Sequence, residues 1–138
     1  MSLKQCKECG RQISTKAIIW GVMVDNIGYL CFMTLLGVVV GIMGITENEI
    51  NTQIETITNI ILALGFTFLG GYIAGRIARH SEVLHGCIVG AIGLLIGLII
   101  IVAMSSPIRW PEIVCFIGII PIGMGGGYFV RTRMNKEP

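Results

Sequence analysis

Four apolar runs dominate this sequence: Ala17–Gly44, Ile57–Ala78, Leu84–Met104 and Glu112–Val130. Each matches or exceeds the roughly 20 helical residues needed to cross a hydrocarbon core about 30 Å thick. They are continuous rather than alternating, and longer than the about 9–11 residues of a barrel strand, which argues against a membrane β-barrel. Helices satisfy their own backbone groups in lipid, so the expected fold is all-α, a bundle of four transmembrane helices. Composition leads to the same place. Of 138 residues 54% are hydrophobic and 13% charged, and mean hydropathy is +0.82. A water-soluble chain of this size buries only about two-thirds of its surface, so such a composition excludes an ordinary soluble domain, a disordered chain and a secreted disulfide scaffold. The first run is long enough that it must tilt or project beyond the core. No small-residue cleavage site follows it, so it reads as a helix rather than a signal peptide.

Basic residues orient the chain. Lys4, Lys7, Arg11 and Lys16 precede the first run, Arg76 and Arg79 bracket the link between the second and third, and Arg131, Arg133 and Lys136 follow the fourth. The link between the first two runs carries Glu47, Glu49 and Glu55 and no base, and the link before the fourth has only Arg109. Both termini are therefore expected in the cytoplasm, with the chain a multi-pass protein of the inner (cytoplasmic) membrane. The expected organisation is a cytoplasmic segment over 1–16, a transmembrane domain over 17–130 and a basic cytoplasmic tail over 131–138. Helices are expected at about 17–44, 47–79, 84–104 and 111–130. The net charge of +2 serves orientation and makes no case for nucleic acid, which needs a basic face.

Local signals refine the boundaries. Thr46-Glu47-Asn48-Glu49 fits a capping box, and Ile50, Ile54 and Ile57 continue at helical spacing. Pro111 suits a first helical turn. Trp20 and Trp110 fall where interfacial aromatics are expected. Pro121, inside the fourth run, is expected to bend its helix and free a carbonyl near Ile117.

Cys6-Lys7-Glu8-Cys9-Gly10 is a metal knuckle: two intervening residues bring both thiolates to one ion, and glycine permits the turn. A closed zinc site needs four ligands, and no second Cys-x-x-Cys follows. Three readings stand: a remnant without metal, a zinc site of four thiolates shared between chains or with a partner, and a redox pair. A structural disulfide is disfavoured on the cytoplasmic side. The segment CKECGRQISTKAII resembles the first half of the short zinc ribbons that open many bacterial and archaeal proteins.

Every glycine but Gly10 falls within the apolar runs, so they are not mainly turn formers. Gly86, Gly90, Gly93 and Gly97 make a stripe along helix 3, Gly37, Gly41 and Gly44 a shorter one on helix 1, and Gly71 and Gly75 a pair on helix 2. Such spacing lets helix backbones approach closely. The stripes read as packing within the bundle, with a surplus that would serve a subunit interface or a narrow pore.

Asp25 and Asn26 lie about two turns into the first run, while Arg76 closes the second and His85 opens the third. Charge at such depth is costly and usually paired, and an Asp25–Arg76 ion pair or water-bridged contact is expected. The same residues admit a proton or cation pathway through Asp25 and His85. Gly70-Gly71-Tyr72 and Gly126-Gly127-Tyr128 hint at a duplicated hairpin, or else are separate interfacial anchors.

The run GGYIAGRIARHSEVLHGCIVGAIG resembles a motif of small uncharacterised four-helix bacterial membrane proteins: Gly-Gly-x-x-Ala-Gly-(Arg or Lys), a short loop, then Leu-His-Gly. The resemblance implies a tight hairpin with Arg76 and His85 at its cytoplasmic mouth, and it brings no known catalytic activity to carry over. No nucleophile–base–acid cluster or phosphate loop is present, and His80 and His85 are five apart, on different helix faces. The expected function is non-enzymatic: packing as a homo-oligomer or as an accessory subunit of a membrane complex in the lipid bilayer. The alternative is a small ion or proton channel or transporter with Asp25 and His85 on its path.

Overall fold

The computed structural model describes residues 13–44, 52–79, 81–103 and 110–134, with side chains from 55 in the second of these segments and from 113 in the last. Four helices make up these residues: α1 Thr15–Ile42, α2 Thr52–Ala78, α3 Glu82–Ala103 and α4 Trp110–Met134. Each contains a window long and apolar enough to cross a membrane. At 1.5 Å per residue their 28, 27, 22 and 25 residues give lengths of about 42, 40, 33 and 38 Å, all beyond the about 30 Å of a hydrocarbon core.

The helix ends follow from local chemistry. Ser14 caps α1, its hydroxyl accepting from the Ala17 N–H at 3.4 Å. Beyond Ile42 the chain turns at Gly44, where φ is +67°. Gly44 therefore lies outside the helix, as the left-handed residue that stops it, and leaves the stripe begun by Gly37 and Gly41. Between α2 and α3 the turn takes Arg79 and Ser81 to φ of +54° and +55°, the left-handed region unfavourable to residues with a Cβ. Pro121 lies within a continuous α4. That helix runs past Val130, where a tail was expected, because Arg131 and Arg133 complement the helix C-terminus and no Gly or Pro interrupts them. The capping box at 46–49, His80 and Arg109 lie outside the described residues.

α2 and α3 form the centre of the bundle. α4 packs on one side of them and α1 on the other, and among the described residues the backbones of α1 and α4 do not approach each other. The starts of α1 and α3 and the C-terminal ends of α2 and α4 gather at one end, where Ser14 meets His85 and both Gly75 and Gly127 face Glu82. Away from the seams the surface is apolar: Leu35, Ile61, Ile99 and Ile117 all point outward.

Candidate polar seam between helices 1, 2 and 3

On α1 only Ala17, Gly21 and Asp25 are buried, a spacing of four that lays them along one face. Opposite them on α3 stand His85, Val89 and Gly93, also four apart. Ser14, Gly21 and Asp25 thus meet His85, Val89 and Gly93 in three successive rungs. α2 closes the third side with Thr67, Gly70 and Ala74.

The first rung is a latch. His85 is fully buried. Its Nε2 accepts the Ser14 N–H at 2.9 Å, and its Nδ1 lies 3.0 Å from the Ser81 carbonyl. Accepting at Nε2 requires that nitrogen to be bare, so Nδ1 holds the proton and donates it to Ser81. One imidazole therefore ties the start of α1 to the turn that opens α3.

The second rung is close-packed and apolar. A Cβ placed on Gly21 would stand 2.7 Å from Val89 Cγ2 and 2.8 Å from the Gly70 carbonyl oxygen, and one on Gly70 would stand 2.7 Å from the Gly21 oxygen. α1 and α2 cross here backbone to backbone, and fully buried Val89 fills what remains.

Asp25 forms the third rung. It is 7% exposed. Its Oδ1 lies 3.0 Å from the Thr67 hydroxyl, which also lies 3.0 Å from the Ala63 carbonyl one turn back on α2. Its Oδ2 points over Gly93, where a Cβ would stand 2.8 Å away. Gly93 faces α1's acid, whereas Gly86 and Gly90 face α4.

The four polar residues expected to cluster do not. Asp25 meets Thr67 rather than Arg76, which is exposed and lies nine residues, about 13 Å of helix rise, beyond Thr67. Asn26 turns away and donates to the Val22 carbonyl of its own helix at 3.0 Å. His85 sits two turns of α3 from Gly93, with Val89 between. The register set by the Gly21–Gly70 crossing places Asp25 level with the middle of α3 and out of reach of Arg76.

The other glycines divide by neighbour. Gly71 of α2 and Gly86 of α3 both face the Gly123 carbonyl, and Gly75 faces Gly127 Cα at 3.2 Å. Gly90 faces the Ile119 oxygen at 2.9 Å, and Gly97 the Phe116 ring at 3.3 Å. Gly37 and Gly41 face nothing within 4 Å. Above Asp25, α1 meets α2 through aromatic rings: the Phe66 ring lies on Gly28, with Tyr29 and Phe32 at centroid distances of 6.4 and 6.0 Å. Beyond Phe32, α1 is exposed along nearly all its length.

A recess of about 340 Å³ opens between the start of α3 and the end of α4, lined among others by Ser81, Glu82, Cys87 and Arg131. Cys6 and Cys9 lie outside the described residues. Among those described, no group of three or more His, Cys, Asp or Glu is placed to hold a metal ion. Comparison with protein families, curated proteins and solved structures finds no match.

Proposed function

We propose that this chain is a small, non-enzymatic, multi-pass membrane protein that acts by helix packing, with the outer half of α1 as the surface on which a second copy sits. One observation carries the reading. From Phe32 to Met43, α1 leaves the bundle with all its large apolar side chains exposed except Met33 and Val40, which are half-buried, and Gly37 and Gly41 face open space, while the glycines of α2, α3 and α4 nearest the bundle centre stand against neighbouring backbones. Lipid tails satisfy apolar side chains as well as a helix does, but small residues spaced by four gain from a close helix partner.

The test is crosslinking in bilayers on a cysteine-free background. Gly41→Cys is expected to give a covalent dimer, and Ile117→Cys, on the exposed face of α4, is not. A chain that stays monomeric, or that crosslinks equally at both positions, refutes the reading. A partner of different size captured at position 41 would instead mark an accessory subunit.

Orientation belongs to the same proposal. Lys16, Arg76, Arg79, Arg131 and Arg133 are all exposed at the end where α1 starts and α4 finishes, which supports cytoplasmic termini under the positive-inside rule. There Cys6 and Cys9 would serve as a docking or zinc-bridging element, and about half a zinc per chain, lost in Cys9→Ser, is the expected signature of four thiolates shared by two chains. The alternative, a channel through Asp25 and His85, has weaker support because fully buried Val89 fills the rung between them. Proton flux in liposomes that is abolished by Asp25→Asn would revive it.

A further inference from the structure

Asp25 sits at the middle of the bundle, and among the described residues no cation is set against it. The groups facing it are Thr67 and Gly70 of α2 and Gly93 of α3, and none of these is charged or titratable. Among the described residues the α4 backbone does not approach that of α1, and the α4 group that interacts with α1 is Cys115, with Tyr29. On its own helix the next titratable group is Tyr29, one turn on, with its ring against Phe66. Arg76 is nine residues away along α2, and His85 lies beyond Val89. A carboxylate in such surroundings loses its hydration without a compensating charge, and that imbalance ordinarily drives the group to its neutral form.

The hydrogen-bond geometry also has a place for a proton on the acid. A threonine hydroxyl has one proton to donate and lone pairs to accept. Thr67 Oγ1 has two oxygens at 3.0 Å, Ala63 O and Asp25 Oδ1. Spending its proton on Ala63, as a helical threonine does, leaves Thr67 an acceptor toward Asp25. Both contacts are then full two-centre hydrogen bonds when Asp25 supplies a proton of its own.

We propose that Asp25 is a proton-binding site at mid-depth in the bundle, where its Oδ1–H donates to Thr67 Oγ1 and the Thr67 proton passes on to the Ala63 carbonyl. The ligand is one proton from solvent. An O–H bond forms at Oδ1 and no other bond changes. Oδ2, as the neutral carbonyl oxygen, rests over Gly93, the one α3 position on this rung with no Cβ to displace it. This neutral pair fastens α1 to α2, and loss of the proton would put an unanswered charge into the seam that joins α1 to α2 and α3. The inference holds whether or not a second copy sits on the outer half of α1.

Asp25 is the sole aspartate in the sequence, which makes the test specific to one residue. The full chain, made by cell-free synthesis with carboxyl-¹³C aspartate and placed in lipid bilayers, has a single labelled side-chain carboxyl group. At neutral pH its resonance and its infrared C=O band are expected at carboxylic-acid positions, and the band is expected to be absent in Asp25→Asn. Thr67→Val keeps the shape but removes the acceptor, and is expected to move the band to the frequency of an acid without a hydrogen-bond partner. Asp25→Asn is expected to keep the fold, because its amide N–H donates to Thr67 from the same place. A carboxylate signal in the unsubstituted chain overturns the proposal, whatever the variants do. An acid band that Thr67→Val leaves unmoved overturns the role of Thr67.

Discussion

Replacing Gly71 with alanine adds one methyl group where three backbones meet. The new Cβ would stand 3.0 and 3.1 Å from the carbonyl carbon and Cα of Gly123, and nearer still to its oxygen. All three are main-chain atoms of a helix, so no side chain can swing aside. Ordinary carbon contacts begin near 3.5 Å, and α2 and α4 must separate by roughly an ångström locally. A gap of that size forfeits a quarter to a half of each dispersion contact along the seam, and lipid offers no hydrophobic drive to offset the loss. Overpacking of this kind costs about 1–3 kcal/mol, and a backbone clash belongs at the upper end. Alanine recovers about 1 kcal/mol of helix propensity over glycine. The net expectation is a loss of about 2 kcal/mol. Gly41→Ala meets nothing within 4 Å and keeps its propensity gain of up to about 1 kcal/mol. The two variants should therefore differ by about 3 kcal/mol, roughly a hundredfold in the unfolding equilibrium. Reversible unfolding of the monomer in mixed micelles of rising SDS fraction measures it. A Gly71→Ala chain as stable as Gly41→Ala would show that α2 and α4 are not held at this distance. Gly86→Ala pushes against the same Gly123 carbonyl from α3, so the double variant Gly71→Ala/Gly86→Ala should lose less than the sum of the two.

Other consequences are accessible to the same preparation. His85→Leu removes the acceptor for the Ser14 N–H and should cost about 1–3 kcal/mol, read as faster amide exchange at Ser14; unchanged exchange would remove the latch. Ring ¹⁵N shifts of His85 should report the Nδ1–H tautomer, and the opposite tautomer would contradict both of its hydrogen bonds. Ser81→Gly relieves a left-handed backbone at φ +55° and should raise stability by about 1 kcal/mol, whereas Ser81→Val, β-branched at that conformation, should lower it. Ser14→Ala removes the α1 cap and should cost about 1 kcal/mol, visible as fraying of the first turn while the His85 bond to the backbone persists.

The four helices were legible because length and apolarity alone decide them: a run too long for a strand and too greasy for water has one economical form. The ends of α1 and α3, the close of α2 and the start of α4 lie within two residues of those expected; the expected start of the second helix at 47 lies outside the described residues, and α4 runs on because two arginines that read as a tail suit a helix C-terminus. The relative register of the helices was not legible, and the site depends on it. The expected Asp25–Arg76 contact rests on depth along each helix taken singly, and such depth says nothing of the offset of one helix against another. That offset is set where Gly21 and Gly70 cross, each leaving no room for a Cβ on the other. A signal for it was present: Ala17, Gly21 and Asp25 recur every four residues, as do His85, Val89 and Gly93. The aspartate sits at the third place of one seam and a glycine at the third place of the other, so the acid occupies space that the glycine leaves free. Gly37 and Gly41 look the same in sequence as Gly86 and Gly90, yet one pair faces open space and the other a helix backbone. Spacing identifies a face on which a close neighbour would fit, and only the fold distinguishes a face already taken from one left open. That difference is why the outer half of α1 is the place to look for a second chain.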